Sequence, residues 1–143
     1  MPNRGKYKKI LVGIDNSENA SKAFFEAAHI AKRNEAVLYV VHVINNLVGY
    51  LTDDALSQLK DDAQELSHNL IAQAENIGFS NIEVIIQVGS PKQLITHTLP
   101  KELGAELIVL GATGKHRLQE SLLGSVPHYA STNANRNVLI VRQ

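Results

Sequence analysis

Gly111 and Gly114, followed after a nine-residue insert by Gly124-Ser125, form the stretch of this sequence best suited to holding a ligand. Glycine lets backbone N–H groups approach a bound molecule and reaches dihedrals that other residues avoid. A helix start adds unpaired N–H donors and the positive end of the helix dipole, a combination that suits phosphate. The Ser125 hydroxyl supplies a further donor. Taken out of context, the same residues are a glycine-rich turn with Ser125 as an ordinary helix N-cap. Their place in the chain favours a ligand. Leu107-Ile108-Val109-Leu110 is a continuous apolar run of strand length, and Val126, Tyr129, Ala130 and Asn133-Ala134 keep a helical rhythm. The glycines therefore leave the carboxyl end of a strand, where open α/β sheets bind their ligands.

Asp15 is the second candidate. It ends the apolar run Ile10-Leu11-Val12-Gly13-Ile14 and stands just before a helix. Together with Ser17 it would cap that helix; facing the crevice, it would accept hydrogen bonds from a ribose or a base amine, since a carboxylate only accepts. Its position leaves both roles open.

Other chemistries find no support. There is no G-x-x-x-x-G-K-[ST] loop, and the turn Gly13-Ile14-Asp15-Asn16-Ser17 lacks the G-x-G-x-x-G dinucleotide fingerprint. A phosphoacceptor domain would need an aspartate after the third strand, where this chain has Gly89-Ser90. No G-x-S-x-G elbow is present. The six histidines form no i,i+4 pair, so each reads as a packing or surface residue rather than a metal ligand. The absence of cysteine excludes disulfides, thiolate catalysis and cysteine-based zinc sites.

The elements that position these residues follow from hydrophobic period and caps. After the first strand, Ser17 is an N-cap and Glu18 suits the first turn. Ala20, Ala23, Phe24, Ala27, Ala28 and Ala31 then recur at helical spacing, small enough for close packing on a sheet. Residues 36–43 are a strand apolar on both faces, as an interior parallel strand is. The pattern lapses over 45–51. Thr52-Asp53-Asp54 then starts a helix whose stripe is Leu56, Leu59, Ala63, Leu66, Leu70 and Ile77, with Gly78 as its stop. Residues 82–88 are the third strand. Ser90-Pro91-Lys92-Gln93 fits an N-cap, an N1 proline and a capping-box glutamine. The helix it opens should kink or break at Pro100 and end at Gly104. The 107–110 strand, the glycine loop, a last helix and Val138-Leu139-Ile140-Val141 complete the chain. Strict alternation predicts an α/β fold: one doubly wound, mostly parallel five-stranded sheet with helices on both faces, a single domain over residues 1–143.

With 143 residues, the chain is too short for two ordinary domains. Fourteen basic residues balance fourteen acidic ones, which argues against nucleic acid or an anionic membrane as the main partner. The polar amino terminus and the lack of any spanning segment imply a soluble cytoplasmic protein.

Over nearly its whole length the chain resembles the universal stress protein family. The resemblance lies in residues 7–17, with Asp15 and then Ser17, in His42-Val43, in the spacing G-x2-G-x9-G-[ST] at Gly111, Gly114, Gly124 and Ser125, and in Val138-Leu139-Ile140-Val141. It implies a Rossmann-like fold of the adenine nucleotide alpha hydrolase type and membership of the ATP-binding branch. By resemblance, Asp15 contacts adenosine and Val43 packs around adenine. Gly111, Gly114, Gly124 and Ser125 hold ribose and phosphates, and Val126 adds a backbone N–H. Magnesium would bridge phosphate oxygens. The family also implies a homodimer joined through the last strands, and an apolar edge strand at 138–141 independently favours self-pairing. The chain departs from the family pattern at Asn135-Arg136-Asn137, where a proline is usual, and at Pro100 and Pro127.

Three functions are compatible with this reading. The first is a dimeric, nucleotide-binding stress-response regulator, with 44–55 and 115–121 ordering over the ligand and Lys115, His116 and Arg117 meeting phosphates. The second is a slow ATP hydrolase or nucleotide-dependent transferase using Glu120 or His116. The third is a scaffold whose glycine loop is purely structural.

Overall fold

The computed structural model describes residues 5–15, 17–45, 49–112 and 123–142. Five strands, β1 (Lys9–Ile14), β2 (Val37–Ile44), β3 (Ile82–Val88), β4 (Leu107–Gly111) and β5 (Asn137–Val141), form one sheet in the order β3-β2-β1-β4-β5. Every neighbouring pair is parallel. β1 is central, with Ile10 opposite both Leu38 and Leu107, and its residues 10–14 are buried throughout. Burial on both faces explains why β1, β2 and β4 read as unbroken apolar runs.

Helices α1 (Glu18–Asn34) and α2 (Asp53–Glu75) cover one face. The alanines of α1 are fully or nearly fully buried against Ile10, Val12, Val40 and Val109, as their small size predicts. Ser17 caps α1, its Oγ accepting from the Ala20 N–H at 3.3 Å, and Thr52 caps α2 in the same way at 3.1 Å. Past α2, Gly78 takes φ +78°, while the Phe79 N–H reaches back to the Ala74 carbonyl and the Gly78 N–H to that of Glu75. That left-handed stop is where the sequence puts it. The expected apolar stripe is only partly buried. Leu70 and Ala63 are enclosed, whereas Leu56 and Leu59 are half-exposed, and Ser67 takes a buried place by bonding the Ala63 carbonyl at 2.8 Å. The 23-residue helix is longer than the strands beneath it, and Leu66 and Ile77 pack against the core.

The other face carries α3 (Pro91–Gln93), a π-helical turn (Leu94–Thr98), α4 (Leu99–Leu103) and α5 (Ser125–Asn133), packed on Leu11, Val41, Ile108 and Leu110. Ser90 caps α3 through the Gln93 N–H at 3.4 Å, but the capping box does not close. The Gln93 amide donates instead to the Tyr129 hydroxyl at 3.1 Å, a partner that only tertiary packing supplies. Nor does Pro100 end the helix. Proline has no N–H for the carbonyl four residues back, that of Thr96, and its ring presses on it. The chain widens into the π turn just before Pro100, with the Leu99 N–H on the Leu94 carbonyl, and continues to Gly104 at φ +72°.

Candidate functional site

The strand order reverses direction between β1 and β4. The helix after β1 covers one face and the helix after β4 the other, so their carboxyl ends frame a crevice, as in other doubly wound sheets. A cavity of about 380 Å³ lies there, within the range of small-molecule sites. Asp15, Val43, Gly111, Gly124, Ser125 and Val126 all line it. Gly114 lies outside the described residues, as do Lys115, His116, Arg117 and Glu120.

Residues 111 and 124 are brought together by one bond, since the Gly124 N–H donates to the Ala112 carbonyl at 2.8 Å. Gly124 is the N-cap of α5 and Ser125 its first residue, so the alternative of Ser125 as N-cap is not the arrangement found. Gly124 has φ −63° and ψ 166°, ordinary N-cap geometry that any residue adopts. Glycine is not needed there for its dihedrals; what it contributes is a helix start with no capping side chain. Pro127 has no N–H, and the His128 N–H already bonds the Gly124 carbonyl at 3.0 Å. The Ser125 and Val126 N–H groups remain without a partner among the described residues, as does the Ser125 hydroxyl. All three belong to residues bordering the cavity, at the positive end of the helix dipole.

Asp15 serves the opposite wall. Its Oδ1 accepts from the Ser17 N–H at 2.8 Å, a turn that sets up the Ser17 cap and leaves acceptor capacity on the carboxylate. Asp15 is the one charged side chain among the described residues lining the cavity. On the α1–α2 side of β2, buried His42 sits beside it, with Ile14 opposite in register. Burial pushes the His42 pKa below the usual imidazole value, and the Asp15 charge offsets part of that.

The floor is apolar. Gly13, Ile95 and Leu110 contribute to it, residues that sequence reasoning did not select. A Cβ on Gly13 would stand 2.7 Å from Leu110 Cδ2 and 3.1 Å from Ile95 Cδ1. A glycine inside a buried strand is itself a signal of such close approach, and it was the clue available. Among the described residues there is no group of three His, Cys, Asp or Glu placed to hold a metal. No helix among them is long and apolar enough to cross a membrane.

Comparison with known proteins agrees with this architecture. The model of the Universal stress protein family matches residues 6–142. A universal stress protein homologue of Staphylococcus epidermidis is 35% identical over 140 residues, covering 95% of this chain and 84% of its own. The universal stress protein UspA of Lactobacillus plantarum superposes with a TM-score of 0.87 at 29% identity, over 96% of this chain and 99% of the other. A universal stress protein solved in complex with cAMP superposes at 0.77 with 26% identity, over 96% and 98%. The chain belongs to the universal stress protein family.

Proposed function

We propose that this protein is a cytoplasmic, dimeric regulator that binds ATP in the crevice between β1 and β4. The observation that carries the reading is the open start of α5, whose Ser125 and Val126 N–H groups have no partner among the described residues and border the same cavity as Asp15 and Val43. Phosphates would take those donors and the Ser125 hydroxyl, with Gly111, Gly114 and Gly124 leaving room for their approach. Asp15 would accept from the adenosine part, and Val43 with the apolar floor would enclose adenine. The cAMP complex of a related protein supports an adenine nucleotide as the ligand class. Magnesium would be held by phosphate oxygens and water, since Asp15, the one carboxylate among the described residues lining the cavity, is no cage for a divalent cation. Dimerisation would use β5, an edge strand of half-buried apolar residues with one side of its ladder unpaired by the sheet. A hydrolytic reading would rest on His116 or Glu120, which lie outside the described residues.

The test is calorimetric titration of nucleotide-stripped protein with ATP, with and without magnesium, beside the Gly114→Val variant. Binding by the wild type and none by the variant is expected. Equal heats from both, or none from either, would leave the glycine stretch a structural turn.

A further inference from the structure

A second cavity, of about 350 Å³, opens where the π turn and α4 meet the segment between α5 and β5. Thr96, His97, Pro100, Lys101, Asn135 and Arg136 line it, and it shares no lining residue with the crevice at β1 and β4. Its chemistry is one-sided. Lys101 and Arg136 bring two cations, no carboxylate is among the lining residues, and neither cation forms an ion pair among the described residues.

Two buried polar atoms of this lining have no partner among the described residues: the Thr96 hydroxyl, on a residue 2% exposed, and Arg136 Nε. Native proteins seldom leave such groups unpaired, because each forfeits its hydration without a replacement bond. Ser67 shows the usual solution, with its buried hydroxyl bonded to the carbonyl one turn earlier. Thr96 lacks that bond, and it lies in the π turn that precedes Pro100. π turns of this kind recur at functional sites.

We propose that this cavity is a second ligand site, which takes a compact oxyanion of the phosphate class. The guanidinium of Arg136, the ammonium of Lys101, the Thr96 hydroxyl and the Asn135 amide are four donors on lining residues, brought together by two segments of the chain. A tetrahedral anion offers acceptors in as many directions, whereas a carboxylate presents two oxygens in one plane. The volume admits a small phosphate ester as readily as inorganic phosphate.

The test is an amide-resolved NMR titration with inorganic phosphate at constant ionic strength, with acetate as a parallel arm. Saturable shifts are expected at residues 96, 97, 101, 135 and 136, and they should persist when Gly124→Asp closes the first cavity. Arg136→Gln should weaken binding roughly tenfold or more, as expected for loss of a charge-assisted contact, and Thr96→Val by a smaller factor. Lys101→Gln, at an exposed position, should weaken it without disturbing the fold. Phosphate shifts confined to residues 111 and 124–126 would overturn the proposal. So would shifts that Arg136→Gln and Lys101→Gln leave unchanged, or a response to acetate and none to phosphate.

Discussion

Two helices begin at the same crevice, one capped by a side chain and one not. At α1, Asp15 folds the turn and the Ser17 hydroxyl takes the Ala20 N–H, so a side chain of the protein caps that start. At α5, the N-cap is a glycine, the third position is a proline, and the two remaining N–H groups have no partner among the described residues. A capped start stabilises the fold, and an uncapped one at a cavity keeps its donors for a ligand. The contrast separates the helix start that the protein caps itself from the one proposed to take the phosphates.

Making α5 resemble α1 should have the largest effect. Gly124→Asp puts a capping carboxylate where phosphate is expected. It should weaken ATP binding by about 100-fold or more, through two lost charge-assisted bonds and added repulsion. The same change should leave stability within a few tenths of a kcal/mol, or raise it, since aspartate and glycine differ little as N-caps. Calorimetry and urea denaturation on one sample would show the two effects moving apart.

Gly13→Ala acts on the floor between the two helices. The added methyl must displace Leu110 and Ile95, both buried and both lining the cavity. A loss of about 1–2 kcal/mol is expected from chemical denaturation, with weaker nucleotide binding alongside it. Ser17→Ala removes the cap of α1 and should cost about 1 kcal/mol in the same measurement.

The smallest effect concerns His42. The fold favours the neutral imidazole at a pH where the unfolded chain already protonates it, because burial holds the folded pKa below the usual imidazole value. The unfolded state then binds more protons, so stability falls as the pH drops below about 6.5. Asp15→Asn removes the charge that opposes this depression, and should move the His42 titration, followed by NMR, to still lower pH.

Sequence reasoning reached the sheet, its strands and most caps because these depend on local period and on single residues such as Ser17, Thr52 and Gly78. The crevice was legible for a related reason. Asp15, Gly111 and Gly124 stand at strand and helix ends, which alternation places on one edge of the sheet. What escaped depends on neighbours distant in sequence. Gln93 gives up its capping box for Tyr129, and Leu56 and Leu59 stay half-exposed near the start of α2. The cavity at Thr96 and Arg136 arises from a π turn that nothing in the apolar spacing announces.

The most direct test of the central claim is to follow the Ser125 and Val126 amides by NMR while ATP is added to nucleotide-free protein. The account predicts that these two amides, with Gly111, move most and saturate with the calorimetric affinity, while the Ala20 amide held by Ser17 moves little. ATP binding that leaves Ser125 and Val126 unmoved would contradict it, and would place the nucleotide away from the open start of α5.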